Sequence, residues 1–145
     1  MQKQKGFTII ELIVVIAIIA VLATIVMINV TGYIGKSKDA AIKGNMQTIA
    51  STAAGVYDTY KTYNDTNESL FANVSVNNAM IQIRALSSDS NTVSSHNNAT
   101  SWCACANLVT NPSYTYCADG TGYKGESTNN GCTVRCNATS QICTN

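Results

Sequence analysis

A chain of 145 residues has room for one domain, or for one domain and an anchor. Its formal charge is +1, so no basic surplus points to nucleic acid or to anionic lipid as a partner. Only 12% of residues are charged while Asn, Ser and Thr are abundant, a neutral polar composition of the kind extracellular proteins carry.

The chain begins Met-Gln-Lys-Gln-Lys-Gly and continues Phe7-Thr8-Ile9-Ile10-Glu11. Residues 12–28 read LIVVIAIIAVLATIVMI, with Thr24 the only polar side chain, and no charge occurs between Glu11 and Lys36. An apolar helix of roughly 20 residues spans about 30 Å of hydrocarbon. The run is longer than the 7–15 residues of a secretory signal core, and no small-residue cleavage site closes it. A plain single-span anchor would leave Glu11 unexplained. A carboxylate inside a bilayer costs roughly 2.5–3.5 kcal/mol, less near the interface, so such a residue is a functional candidate that needs a partner. A cut between Gly6 and Phe7 would create one: the new amino group of Phe7 is a cation. A helix cannot easily fold its own terminus onto Glu11, whereas a neighbouring helix shifted along its axis brings its terminus there. Glu11 also suits the positive end of the helix dipole.

The octapeptide Lys5-Gly6-Phe7-Thr8-Ile9-Ile10-Glu11-Leu12 resembles the class III signal of type IV pilins and of the pseudopilins of type II secretion systems. The resemblance is specific over about residues 3–28 and loose onward to about residue 63. It implies that a prepilin peptidase cuts after Gly6 and methylates Phe7, and that Glu11 is the assembly carboxylate. Lys3 and Lys5 supply the charge of the leader, and their removal takes the net charge from +1 to −1. Where many pilins carry a helix-breaking Gly and Pro, this chain has Ala20 and Ile28, and its one Pro is Pro112. The cluster Thr24-Ile25-Val26 and the pair Gly32 and Gly35 are weaker substitutes.

From Lys36 to Tyr63, helical periodicity takes over. Ile42, Met46, Ile49, Ala53, Val56, Tyr57, Tyr60 and Tyr63 form one apolar stripe, while Lys38, Asp39, Lys43, Gln47, Thr48, Ser51 and Asp58 form the polar face. The expected long helix runs from Phe7 to Tyr63, about 85 Å at 1.5 Å per residue. Gly44 and Gly55 are positions where neighbouring backbones could approach closely. Tyr57, Tyr60 and Tyr63 suggest an aromatic path for electrons, but rings at helical spacing ordinarily bury themselves and expose their hydroxyls, and that is the reading taken. Asn64-Asp65-Thr66-Asn67 should end the helix. In residues 75–87, Val76, Ala79, Met80, Ile83 and Leu86 fit a short helix on the stripe with Ser75 as N-cap, while Ile81, Ile83 and Ala85 alternate as in a strand; the helix is the favoured reading. Residues 87–101 read as a polar loop holding a solvated His96.

All six cysteines, Cys103, Cys105, Cys117, Cys132, Cys136 and Cys143, lie in the last 43 residues. An even count in a short exported region reads as a disulfide framework. Cys103 and Cys105 share one face of a strand and should not pair with each other, which leaves 12 of the 15 possible schemes open. The spacings C-x-C and C-x-x-x-C are not those of zinc sites, and no C-x-x-C suggests redox catalysis. Strand-like runs at 102–109, 114–118, 132–136 and 141–144 suggest an antiparallel sheet of three or four strands covering the helix stripe. Residues 119–131 between them read as a surface loop; Asp119, Glu126 and Asn129 are conceivable calcium ligands, but their spacing fits no calcium loop. Asn-x-Ser/Thr triplets begin at Asn29, Asn64, Asn67, Asn73, Asn98 and Asn137, and nothing in the sequence selects one for glycosylation.

The expectation is an α+β, pilin-like chain: leader 1–6, membrane and filament-core helix 7–35, amphipathic helix 36–63, connecting region 64–101 and cysteine-rich sheet 102–145. It should be a filament subunit and no enzyme, with no cofactor or metal, no catalytic residue and no nucleic-acid partner. Its expected partners are copies of itself or similar subunits, a prepilin peptidase and the assembly machinery of the cytoplasmic membrane. It would sit in that membrane before assembly and in an extracellular filament afterwards. A pseudopilin shares every step of this reading. A monomeric membrane-anchored adhesin is the more distant alternative, and predicts an uncut, unmethylated Phe7.

Overall fold

The computed structural model describes residues 6–65, 69–87, 93–128 and 131–143. It divides into two compact units, Met1–Ile34 and Gly35–Asn145. Helix α1 runs over Ile9–Tyr60, through Ala20, Gly32, Gly35, Gly44 and Gly55. A 3-10 turn (Leu70–Ala72), α2 (Val74–Leu86), β1 (Val93–Asn97), β2 (Trp102–Asn107), β3 (Thr115–Asp119), β4 (Lys124–Ser127) and the single turn α3 (Cys132–Arg135) follow. The strands form one antiparallel sheet in the order β1-β2-β3-β4.

Within the second unit, the helical stripe is the core. Ile42, Met46, Ile49, Ala53 and Val56 are buried, and they meet Val76, Ala79, Met80 and Ile83 of α2 and Trp102, Ala104, Ala106 and Ala118 of the sheet. Strand side chains alternate between faces. So the helix-facing side of β2 and β3 presents one Trp, three Ala and the half-buried Tyr116, while Cys103, Cys105 and Cys117 point the other way. The small residues let the sheet lie close to the helix.

Helix α1 stops at Tyr60, three residues short of the expected Tyr63. Lys61 takes a left-handed conformation (φ 56°), and its N–H donates to the Tyr57 carbonyl at 2.8 Å. The reason lies with Tyr63, whose backbone is claimed by other elements. Its N–H donates to Ala99 O (3.1 Å), and its carbonyl accepts from Leu70 N–H (2.9 Å) and Asn97 Nδ2 (2.7 Å). The Tyr63 ring is buried between Tyr57 and Trp102, with centroids 4.9 and 6.5 Å away, whereas Tyr57 and Tyr60 stay about two-fifths exposed. Of the tetrad expected to end the helix, Thr66 and Asn67 lie outside the described residues.

Asp39 belongs to the core and not to the polar face. It is 6% exposed. Its Oδ1 accepts from Val109 N–H at 2.5 Å, and its Oδ2 accepts from the Thr110 hydroxyl and from Thr110 N–H at 3.3 Å. That clamp ties the loop after β2 to the start of the amphipathic stretch. It brings the Thr110 methyl onto the helix at Gly35, where an added Cβ would lie 2.9 Å from Thr110 Cγ2. Close approach is therefore found at Gly35, while Gly44 and Gly55, the positions expected to allow it, face open space. Lys43 and Gln47 are also engaged, Lys43 with Glu126 at 2.5 Å and Gln47 with Lys124 at 2.9 Å.

Three further expectations are corrected. Residues 93–97 are a strand and not loop, with His96 opposite Cys103; backbone pairing needs no apolar side chain, and Ser94 and Asn97 fasten the edge by donating to the carbonyls of Cys136 (3.0 Å) and Tyr63. Residues 124–127 pair with β3 within the expected surface loop. The segment 132–136 is a helical turn, and of 141–144 the described residues contribute only an isolated bridge, Cys136 with Cys143, Thr144 lying outside the described residues. Helix α2 forms as expected, but its N-cap is Asn73, whose Oδ1 accepts from Ser75 N–H at 3.0 Å.

Asp39→Ala should lower the stability of the full chain by about 1–3 kcal/mol, because buried donors lose their acceptor. Urea unfolding in detergent with disulfides intact reads this; a loss under roughly 0.5 kcal/mol, the size of an ordinary surface change, would deny the clamp that role. A second expectation concerns alkaline pH. Burial pushes the Tyr63 hydroxyl above its ordinary value of 10.0, against a smaller opposing effect of a hydrogen bond with Trp102. With the folded value raised, its contribution to stability is complete below about pH 10 and is lost as pH rises through the raised value. Tyr63→Phe should therefore flatten the alkaline fall in the unfolding midpoint.

Candidate functional site

The amino-terminal segment has its own local logic. Gly6, Phe7 and Thr8 carry no regular structure, and Phe7 is 79% exposed. Among the described residues nothing lies within 4 Å of where a Cβ at Gly6 would stand. Thr8 stands at the N-cap of α1. Its Oγ1 accepts from Glu11 N–H (3.3 Å), while Glu11 Oε2 accepts from Thr8 N–H (2.9 Å) and from the Thr8 hydroxyl (2.8 Å). This is a capping box, in which Thr and Glu three residues apart satisfy each other's backbone donors. The T-x-x-E spacing of Thr8 and Glu11 is its signal in the sequence.

The capping box orients Glu11. Its carboxylate is drawn back along the helix toward Phe7, with Oε2 occupied. Among the described residues Oε1 accepts no hydrogen bond and Glu11 joins no ion pair. Glu11 is exposed, so it can receive a cation from outside the chain.

Behind it, the apolar side chains from Ile9 to Met27 are exposed in this chain. Among the described residues α1 is the one helix long and apolar enough to cross a membrane. Val14, Ala17, Ile18, Val21 and Leu22 line an open apolar groove along it. Their spacing of three and four residues is the ridge-and-groove pattern onto which another helix packs, and Ala17 is its low point.

The six cysteines form three bridges: Cys103–Cys136, Cys105–Cys132 and Cys117–Cys143. Cys103 and Cys105 do not pair with each other, as the strand geometry required. The C-x-C and C-x-x-x-C spacings explain why 132–136 coils. Two residues along a strand advance about 6.7 Å. Four residues advance about 6 Å as helix but about 13 Å as strand. Only the helical turn matches Cys132 and Cys136 to Cys105 and Cys103. Arg135, between the two, is buried and donates to Thr115 O (3.0 Å), Thr115 Oγ1 (3.1 Å) and the Tyr123 hydroxyl (3.0 Å), pinning the turn to the sheet.

The conceivable calcium ligands do not converge. Asp119 accepts from Thr121 N–H and Oγ1 and from Cys143 N–H, Glu126 pairs with Lys43, and Asn129 lies outside the described residues. Among the described residues no group of three or more His, Cys, Asp and Glu side chains gathers as a metal site would. His96 Nε2 lies 3.2 Å from Ser94 Oγ on its own strand.

Residues 1–27 match the family model described as the prokaryotic N-terminal methylation motif, the class III prepilin signal of type IV pilins and pseudopilins. Neither the curated proteins nor the solved structures give a match to the chain. The motif is one that type IV pilins and pseudopilins carry, and the fold, a long amino-terminal helix on a four-stranded antiparallel sheet with three disulfides, is pilin-like.

Thr8→Val should remove the two bonds made by the Thr8 hydroxyl, leaving the residue 8 N–H to Glu11 Oε2 bond, and cost the helix start about 0.5–2 kcal/mol. Amide exchange at Ile10, Glu11 and Leu12 in detergent should quicken in Thr8→Val and stay near wild type in Thr8→Ser. Equal exchange in all three proteins would mean that the box does not hold the terminus.

Proposed function

We propose that this chain is the structural subunit of a type IV pilus-like extracellular filament, cut by a prepilin peptidase between Gly6 and Phe7 and assembled through α1. The observation that carries this reading is the methylation motif at residues 1–27 on a helix whose apolar side chains stand uncovered. A soluble chain cannot leave such a surface in water, since each large apolar side chain gains about 1.5–3 kcal/mol from full burial. Before assembly, lipid covers it, with Lys3 and Lys5 on the cytoplasmic side. In the fibre, the same helix of other copies replaces lipid, and the groove from Val14 to Leu22 seats a neighbour.

Cleavage leaves Phe7 as an amino terminus, which the same peptidase methylates. Within one subunit the Glu11 carboxylate already accepts from Thr8 N–H and the Thr8 hydroxyl, and in this reading the cation is matched by another copy. The Phe7 amine of one copy therefore meets Glu11 of the next, and the apolar contacts assemble in one register. The globular unit forms the outer surface, and the chain works by assembly and not by catalysis. A pseudopilin of a secretion system would carry the same motif; abundant external fibres favour the pilin, and a short fibre tied to protein export favours the pseudopilin.

Intact mass and amino-terminal peptide mapping on protein from its own host test the reading. The expected chain begins at Phe7, carries one added methyl group and lacks six hydrogens for three disulfides. A chain beginning at Met1 with an unmodified terminus would sink the assignment in favour of a membrane-anchored monomer. Glu11→Gln should insert into the membrane normally yet fail to polymerise, or do so slowly; normal filaments from that variant alone would refute the charge pairing.

A further inference from the structure

The register of the sheet sets Cys105 directly opposite Cys117, yet the two are not bonded to each other. Cys105 goes to Cys132 and Cys117 goes to Cys143. Directly opposed residues on antiparallel strands have Cβ atoms about 4.5–5.5 Å apart, close to the roughly 3.5–4.5 Å of a disulfide. Both thiols lie on the sheet face that also carries Cys103. The hairpin of β2 and β3 is a local structure, closed by bonds from Leu108 N–H to Tyr114 O and from Tyr114 N–H to Asn111 O, both 2.9 Å. Whenever this hairpin forms, it brings Cys105 and Cys117 face to face.

Among the partners of Cys105 in the sheet and in the native bridge, loop closure favours Cys117 over Cys132. Cys105 lies 12 residues from Cys117 and 27 from Cys132. With a closure cost rising as three-halves of RT ln n, the shorter loop gains about threefold. Cys103 does not compete for Cys105, because the two lie on one strand about 6.7 Å apart with parallel side chains. The native pattern is the opposite of a local one. Each of Cys103, Cys105 and Cys117 is bonded to one of Cys132, Cys136 and Cys143, and no bridge falls within either set.

We propose that a Cys105–Cys117 disulfide forms first and misdirects folding, and that this protein therefore has a thiol–disulfide isomerase of the oxidising compartment as a folding partner, in addition to the oxidant that makes its bridges. The chemistry balances. The oxidant, a disulfide-bearing oxidase, takes two electrons and two protons from Cys105 and Cys117 and becomes a dithiol. The isomerase thiolate attacks Cys105 Sγ, forming a mixed disulfide and releasing Cys117 as thiolate. Cys132 thiolate then attacks Cys105 Sγ, making the native bridge and returning the isomerase thiolate. That exchange transfers no net electrons. Cys117 is left free for oxidation with Cys143.

The test starts from the full chain, reduced and unfolded, then returned to detergent and oxidised with diamide in buffer free of other thiols. Samples are alkylated over time and mapped without reduction. The Cys105–Cys117 peptide should appear first and persist, and catalytic amounts of a disulfide isomerase should convert it to the three native bridges. Complete native pairing with diamide alone, or no Cys105–Cys117 peptide at any time, would overturn the proposal. The double variant Cys117→Ala/Cys143→Ala cannot form the misdirecting bridge. It should reach Cys103–Cys136 and Cys105–Cys132 at the same yield with and without isomerase; a gain equal to that of the wild type would show that another mispairing is responsible.

Discussion

One face of α1, from Ile42 to Val56, has to be kept from water, and most of the second unit follows from that need. Helix α2 covers part of it with Val76, Ala79, Met80 and Ile83, and the sheet covers the rest. The sheet can lie close because it meets the helix with Ala104, Ala106 and Ala118. Alanine buries little apolar area, so that closeness brings only a modest hydrophobic return. The opposite face of the same strands makes up the difference covalently. Three bridges with sequence separations of 33, 27 and 26 residues each restrict the unfolded chain by roughly 3–4 kcal/mol. A helix-facing side of small residues and a far side of cystine are two halves of one solution to building a small domain on a single helix.

The first half of α1 answers to a different solvent. It presents apolar side chains in every direction, so it has no inner face of its own. Its polar chemistry is gathered at the very start, where Thr8 and Glu11 satisfy the backbone donors that a helix end leaves open. The same carboxylate that finishes the helix is thereby aimed at the place where a neighbour's amino terminus would arrive. Capping engages one carboxylate oxygen, Oε2, and leaves Oε1 without a hydrogen bond among the described residues.

What could be read from the sequence follows the ranges over which its signals act. The stripe from Ile42 to Val56 was legible because burial on a helix repeats every three to four residues, and α2 was legible for the same reason. The octapeptide around Gly6 and Glu11 was legible as a linear motif, and the cysteines as a framework. Pairings were not, because they depend on strand register. Nor was β1, whose Ser, His and Asn side chains show no apolar alternation and whose stability comes from backbone bonds to β2 and from partners more than 30 residues away. Strand β4 was hidden in a glycine-rich stretch, although Gly125 is needed there because an added Cβ would come within 2.6 Å of the Tyr123 hydroxyl. Asp39 looked like one charge among several on a polar face, and only the loop at Val109 and Thr110 shows why it is buried. The C-x-C and C-x-x-x-C spacings did hold the clue to α3, since a strand step and a helical turn of nearly equal rise match only in that combination.

The partition of the cysteines has a consequence for damage as well. Every bridge crosses from a residue at or before Cys117 to a residue at or after Cys132, so no stretch between those two positions is the sole link between the parts of the molecule. A protease that cuts within β4 or the segment after it severs the backbone and leaves the two pieces fastened at three points. Exposed to a hostile medium, such a chain can be nicked without losing its end, and the scar shows only when the disulfides are reduced.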